Sequence, residues 1–171
     1  MIFETKRLNV RIFTSDDSES FFDMMGNPNV MNPIPQKVMT RLESDTVLEK
    51  FTPPQTSDMD KQVWAIIEKE SNHFIGLCAY LKNNKNDNEI GYRLREKFWG
   101  MGYGTEIAKG LINHGFTKMG YIKITADVNT TNTKSVKILN NLMSPVKEFF
   151  NKKDNCTDRR YALYKADWIV K

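Results

Sequence analysis

Between Asn88 and Phe116 the spacing of apolar residues changes from one period to another. Ile90, Tyr92 and Leu94 alternate with Glu89, Gly91 and Arg93, the two-residue repeat of a pleated strand. Glycines then stand at every second position, at Gly100, Gly102 and Gly104. From Thr105 the repeat is helical, with Ile107, Ala108, Leu111, Ile112 and Phe116 on one side. Strand, glycine loop and helix thus follow one another, and the remaining elements are placed around them.

Upstream, Leu8, Val10 and Ile12 alternate as a strand, and Thr14–Asp17 supplies capping groups for a helix bearing Phe21, Phe22, Met24 and Met25. Gly26 and Pro28 stop that helix, and 27–36, with its prolines and asparagines, is expected to be irregular. Thr40-x-x-Glu43 is a capping box that opens a helix to Phe51, predicted to bury Leu42, Val47, Leu48 and Phe51. A polar loop is expected over 52–60. Strands follow at Val63–Ile67 and Phe74–Leu81, and a polar tip at 82–88 leads into the central strand. Downstream, Ile122, Ile124, Ala126 and Val128 alternate as a strand. A helix beginning near Thr131 or Asn132 buries Val136, Leu139 and Met143 and ends at Pro145. Phe149 and Phe150 begin a strand, 151–158 is a charged tip containing Cys156, and Arg160–Trp168 is the last strand.

This order predicts an α/β (α+β) fold: a mixed, mostly antiparallel central sheet flanked by helices on both faces. The helical crossover makes the central strand and the Ile122 strand parallel. With 171 residues, 40% of them hydrophobic, the chain is long enough for one domain, 1–171, with a substantial core. The N-terminus lacks the apolar segment of a signal peptide, and no apolar run approaches the roughly 20 residues of a membrane span, so a cytoplasmic protein is expected. Two cysteines are too few for a disulfide framework, and His73 and His114 stand apart, so no metal site is expected. A net charge of +4 is small, and no arginine stripe with interleaved aromatics points to nucleic acid.

The glycine loop carries the chemistry. Glycines let successive N–H groups turn inward, and a helix N-terminus adds unpaired donors and partial positive charge. The combination suits a phosphate or pyrophosphate; a tight strand-to-helix connection is the other reading. The dinucleotide fingerprint fails because Thr105 occupies the third glycine position, and the P-loop fails for want of Gly-Lys-Ser/Thr.

At these residues the chain resembles the GNAT superfamily of acetyl-CoA-dependent N-acetyltransferases, whose loop has the form Arg/Gln-x-x-Gly-x-Gly/Ala. The segment Trp99-Gly100-Met101-Gly102-Tyr103-Gly104 aligns with it, with Trp99 in place of the usual Arg or Gln. Glu89-Ile90-Gly91-Tyr92 followed by Trp99–Glu106 is similar to the branch of ribosomal-protein N-terminal acetyltransferases. Asn129–Ser135 resembles the family's Asn-x-x-Ser helix opening, and Glu4–Leu8 with Arg11 and Asp17 resembles its first strand.

The resemblance implies acetyl-CoA as co-substrate, without a metal. The acceptor would be an amine-bearing small molecule or a protein N-terminus, with no nucleic-acid or membrane partner, and the protein a monomer or homodimer. It implies Glu89 as general base; Tyr92, Arg93 and Leu94 bordering the pantetheine; Gly100, Met101, Gly102, Tyr103, Gly104 and Thr105 holding the pyrophosphate; and Asn132 and Ser135 bonding the cofactor. Two parallel strands should splay to admit the pantetheine. Two positions depart from the pattern. Leu139 stands where many members carry the tyrosine that protonates the thiolate, leaving Tyr164 as a substitute, and Leu142–Pro145 replaces the usual Gly-Phe. A non-catalytic acyl-CoA-binding module is the alternative these departures permit.

Overall fold

The computed structural model describes residues 1–33, 36–53 and 62–168. One eight-stranded sheet runs through the molecule. Its strands are β1 (Phe3–Glu4), β2 (Leu8–Arg11), β3 (Gln62–Glu68), β4 (Phe74–Lys82), β5 (Asn88–Leu94), β6 (Lys123–Asn129), β7 (Ser144–Asn151) and β8 (Cys156–Tyr164), in the order β1-β2-β3-β4-β5-β6-β8-β7. Every neighbouring pair is antiparallel except β5 with β6, which is parallel. The helices are α1 (Ser18–Met25), α2 (Pro28–Met31), α3 (Arg41–Phe51), α4 (Tyr103–Thr117) and α5 (Thr133–Leu142).

Alternation along the strands divides the core in two. Ile90 and Leu94 of β5, with Ile124, Ala126 and Val128 of β6, face Ile107, Leu111, Ile112 and Phe116 of α4 and Leu139 of α5. On the other face Val63, Ala65, Ile67 and Ala79 meet Phe21, Met24 and Met25 of α1, Val30 and Met31 of α2, and Leu48 of α3. Covering both faces explains the nearly continuous apolar run of β4, which has no water-facing side to keep polar.

The central pair positions the site. β5 is paired with β4 along its length, from Asn88 opposite Lys82 to Leu94 opposite Gly76. β6 is likewise paired with β8 from Lys123 to Asn129. Between β5 and β6, however, only Glu89 and Thr125 are in register. The closed end is stitched by Thr125 Oγ1 donating to Asn88 O (3.0 Å) and by the Lys123–Asp87 ion pair (2.9 Å). Beyond Glu89 the strands diverge, as the splayed pair predicts.

Several boundaries differ from the sequence reading. α4 starts at Tyr103, two residues before Thr105, because Gly102 takes a left-handed φ of 82° and turns the chain early. Pro28 begins α2, since proline at the first helical position forfeits an N–H that has no intrahelical partner anyway. The irregular stretch expected over 27–36 therefore contains a helical turn, with 34 and 35 outside the described residues. The Thr40–Glu43 capping box is present, with Thr40 N–H donating to Glu43 Oε2 (2.8 Å), but Leu42 is 78% exposed because α3 turns Ser44 and Leu48 inward. The loop expected over 52–60 lies outside the described residues from 54 onward. Ile12 and Ile122 fall just beyond their strands and are exposed. Pro145 sits inside β7, tolerated on an edge strand that needs no donor on its free side. Cys156 opens β8, so the last strand begins four residues before Arg160 and gives way to a short 3-10 turn at Lys165–Asp167.

Candidate active site

The loop after β5 is built to present backbone donors. Trp99 Nε1 donates to Leu94 O (2.9 Å), anchoring the start of the loop against the strand end. Gly100 and Gly102 adopt φ of 77° and 82°, a conformation that suits residues without a Cβ. Among the described residues, none of the amides from Gly100 through Thr105 donates to a protein acceptor; the first to do so is Glu106 N–H, to Gly102 O (3.1 Å). A Cβ on Gly104 would stand 3.1 Å from Ile138 Cδ1 and 3.5 Å from Tyr92 Cε2, so this glycine brings α4 close to α5.

Arg7, from the turn before β2, clamps the loop. Its Nη1 donates to Met101 O (2.9 Å), its Nε pairs with Glu106 Oε2 (2.7 Å), and its guanidinium lies 4.3 Å over the Tyr103 ring. Glu106 also accepts from Thr5 Oγ1 (2.6 Å) and Arg7 N–H (2.7 Å). Burial raises the Glu106 pKa, but these bonds outweigh it and hold the carboxyl below its usual range. The one carboxylate in the first turn of α4 is thereby paired with a cation beside the glycine loop.

A cleft of about 550 Å³ opens over this loop. Of the residues expected to bind cofactor, Tyr92, Arg93, Leu94, Gly100, Gly102, Tyr103, Gly104, Thr105, Asn132 and Ser135 line it. Met101 does not; its side chain is exposed and its carbonyl is engaged by Arg7. Asn132 caps α5, its Oδ1 accepting from Ser135 N–H (3.3 Å), which leaves its amide donors free for another partner. Lys134 and Lys137 also line the cleft, with Lys134 Nζ 4.6 Å from the Trp99 ring. Sequence reasoning missed both lysines and Arg7. The signal for the lysines was their i, i+3 spacing at the start of a helix, where positive charge is disfavoured by the helix dipole and so calls for an anion.

Tyr92 and Leu94 contribute main chain as well. Arg95 N–H bonds Ile75 O (2.9 Å), so by antiparallel alternation the odd-numbered residues of β5 bond β4. Tyr92 and Leu94 therefore turn their N–H groups toward β6, into the gap. The Tyr92 hydroxyl is buried without a hydrogen-bond partner. Burial pushes its pKa up to about 12, and Ser135 nearby offsets part of the shift.

A second cleft, about 730 Å³, lies on the α1–α3 side and meets the first at Pro33, Tyr92, Arg93, Asn132 and Ser135. Glu89 and Arg93 project into it from the face of β5 that also carries Gly91. Burial raises the Glu89 pKa; Asp127 and Asp158 add to the rise, Arg160 opposes it, and the carboxyl settles at about 7. Arg160 is bound to Asp127 by two bonds (2.8 and 2.6 Å) and Asp158 accepts from Asn151 (2.7 Å), so Glu89 alone of the three carboxyls has no hydrogen bond among the described residues. Leu139 is buried and lines this cleft, whereas Tyr164 lines neither cleft.

The chain has thus brought a run of unpaired loop amides, a gap between two strands and a carboxyl raised to about 7 together around two adjoining clefts. The free amides of the loop, the partnerless Tyr92 hydroxyl and the closely packed Gly104 fit an extended phosphate-bearing cofactor.

The chain is 28% identical over 140 residues to the uncharacterized N-acetyltransferase p20 of Bacillus licheniformis, covering 81% of this chain and 79% of that one. Its fold is similar to that of spermidine N-acetyltransferase from Vibrio cholerae, crystallised with CoA and spermine (TM-score 0.77, 16% identity, covering 94% of this chain and 97% of that one). It is similar, too, to RimL, the ribosomal L7/L12 alpha-N-protein acetyltransferase, in complex with coenzyme A (TM-score 0.75, 16% identity, 95% and 97% covered). Residues 7–142 match the acetyltransferase (GNAT) domain. The chain belongs to the GNAT family of acetyltransferases.

Proposed function

We propose that the protein moves the acetyl group of acetyl-CoA to a primary amine by direct attack within a ternary complex. The reading rests chiefly on one observation: the partnerless amides from Gly100 through Thr105 stand at the mouth of the β5–β6 gap, with Glu89 on the far side of that gap.

The residues divide the work. The Gly100–Thr105 amides would hold the diphosphate, supported by the α4 N-terminus, while Lys134 and Lys137 offer charge to the outer phosphates. Asn132 and Ser135, with the main chain of Tyr92 and Leu94, would align the pantetheine along the open edge of β5, in the manner of an added strand. When bound, the cofactor supplies an activated acyl group as a thioester. An N–H from Tyr92 or Leu94 is placed to polarise the acyl oxygen. An α-amino group has a pKa near ~8 and a lysine amine near ~10.4, so either arrives protonated. Glu89, titrating about 7, can take that proton directly or through water and then release it to solvent near neutral pH, which restores the carboxylate for the next turnover. The Tyr92 hydroxyl, beside Ser135, borders the cofactor cleft and is better placed than Tyr164 to assist the departing sulfur.

Leu139, at the position of the family's tyrosine, favours a second reading: a module that binds acyl-CoA without turning it over. Thiol release from acetyl-CoA against a panel of amines separates the two. Amine-dependent release that falls in Glu89→Gln supports transfer. Tight acetyl-CoA binding with no release above background would leave the binding module.

A further inference from the structure

Arg93 is a half-buried guanidinium without an anion. Its Nη1 faces two thioethers, Met25 Sδ at 3.0 Å and Met31 Sδ at 3.3 Å, which are weak acceptors. Its Nη2 donates to Gln36 Oε1 (2.9 Å), and its Nε is buried with no partner. Among the described residues no carboxylate pairs with it. Desolvation lowers its pKa to about 10, so it remains charged at neutral pH. Removing a charge from water without a counter-charge opposes folding. The other site arginines show the contrast: Arg7 is paired with Glu106 and Arg160 with Asp127.

The opposite end of the same cleft has the opposite sign. Glu89, Asp127, Asp154 and Asp158 line it, against the cations Arg160, which is paired with Asp127, and Lys153, so carboxyls outnumber cations there. Glu89 and Arg93 lie four residues apart on one face of β5, so their Cα atoms are about 13 Å apart. The cleft therefore offers an acidic end for an ammonium or amine and, along the same strand face, a cationic end for an anion. A guanidinium fork matches a carboxylate. A long polycation would set one of its own charges against Arg93, which like-charge repulsion disfavours.

We propose that Arg93 binds a carboxylate on the acceptor, so that the acceptor is a small primary amine that also carries a carboxylate, as in an amino acid, and not a polyamine. This inference rests on the acetyl-transfer reading for its reaction but not for its binding step.

The test has a catalytic arm and a binding arm. In the first, wild type, Arg93→Met and Arg93→Lys are assayed with acetyl-CoA against the common α-amino acids, their carboxamides, and spermidine. A charge-assisted contact predicts a kcat/KM preference for acid over amide of roughly 10- to 100-fold in wild type. That preference falls toward unity in Arg93→Met, through loss on the acid alone, and is partly kept in Arg93→Lys. Wild type that acetylates amides or spermidine as well as acids, or an Arg93→Met ratio equal to that of wild type, overturns the proposal while leaving acetyl transfer intact. In the second arm, CoA-loaded protein is titrated calorimetrically with N-acetylglycine and N-acetylglycinamide. Binding of the acid only, lost in Arg93→Met, sustains the proposal even if no amine is turned over; no discrimination between the two overturns it. A structural role for Arg93 predicts a lower melting temperature in Arg93→Met. Removal of an unpaired cation predicts an equal or higher one. Should that variant fail to fold, the wild-type preference still decides.

Discussion

Replacing Glu89 by Gln tests the carboxyl in two independent ways. Its ordinary pKa of 4.5 is raised to about 7, first by burial and then by Asp127. The folded state thus binds this proton more tightly than the unfolded chain does. Stability is then unaffected by the group below about pH 4.5, falls as pH rises between about 4.5 and 7, and stays reduced above that. At about 1.4 kcal/mol per pKa unit, the full penalty is on the order of 3 kcal/mol, and partial contact with water reduces it to about 1–2 kcal/mol. Gln carries no charge, so Glu89→Gln should match wild type in urea denaturation at pH 4.5 and exceed it by about 1–2 kcal/mol at pH 8. In parallel, the wild-type rate should climb with an apparent pKa about 7, and the mutant should lose roughly 10²–10⁴-fold at pH 8 with that step gone. A stability difference that does not vary with pH would refute the buried environment. An unaltered pH–rate profile would remove Glu89 from catalysis.

Two further substitutions probe the cofactor side. Gly102→Val forces a β-branched residue to φ of 82° and sets its Cβ 3.3 Å from Arg7 Nη2; calorimetric CoA affinity should fall at least about tenfold by the loss of one or two charge-assisted bonds, and an unchanged affinity would mean the amides do not hold the ligand. Lys134→Ala and Lys137→Ala should each weaken CoA binding a few-fold and flatten its dependence on NaCl, since both lysines are exposed and their attraction is screened. Identical salt dependence in the mutants would take them out of the cofactor's reach.

The parts of this fold that were legible are those that depend on local rules. Period-two alternation located β5 and β6, the change to helical spacing located α4, and Thr40 with Glu43 marked the start of α3. The glycine loop was legible because Gly100 and Gly102 need a backbone conformation that few other residues accept. What resisted reading depends on partners distant in sequence. Nothing around Glu89 reveals that β6 and β8 bring Asp127 and Asp158 beside it, and those neighbours help set its pKa. Arg7 reads as one charge among several near the N-terminus until it reaches across to Met101 and Glu106. Arg93 was expected beside the pantetheine through its main chain; only the packing of α1 and α2 shows its guanidinium directed at Met25, Met31 and Gln36. Leu42 and Pro145 were misplaced because burial and edge position are properties of the assembled sheet, whereas a helical stripe or a lone proline looks the same in either setting.

A crystal structure of the protein with coenzyme A tests the central claim most directly. The diphosphate should lie within hydrogen-bonding distance of amides between Gly100 and Thr105, with the pantetheine running between β5 and β6 and its sulfur directed toward the cleft that holds Glu89. Coenzyme A seated away from that loop, or β5 and β6 closed against each other along their length in its presence, would contradict it.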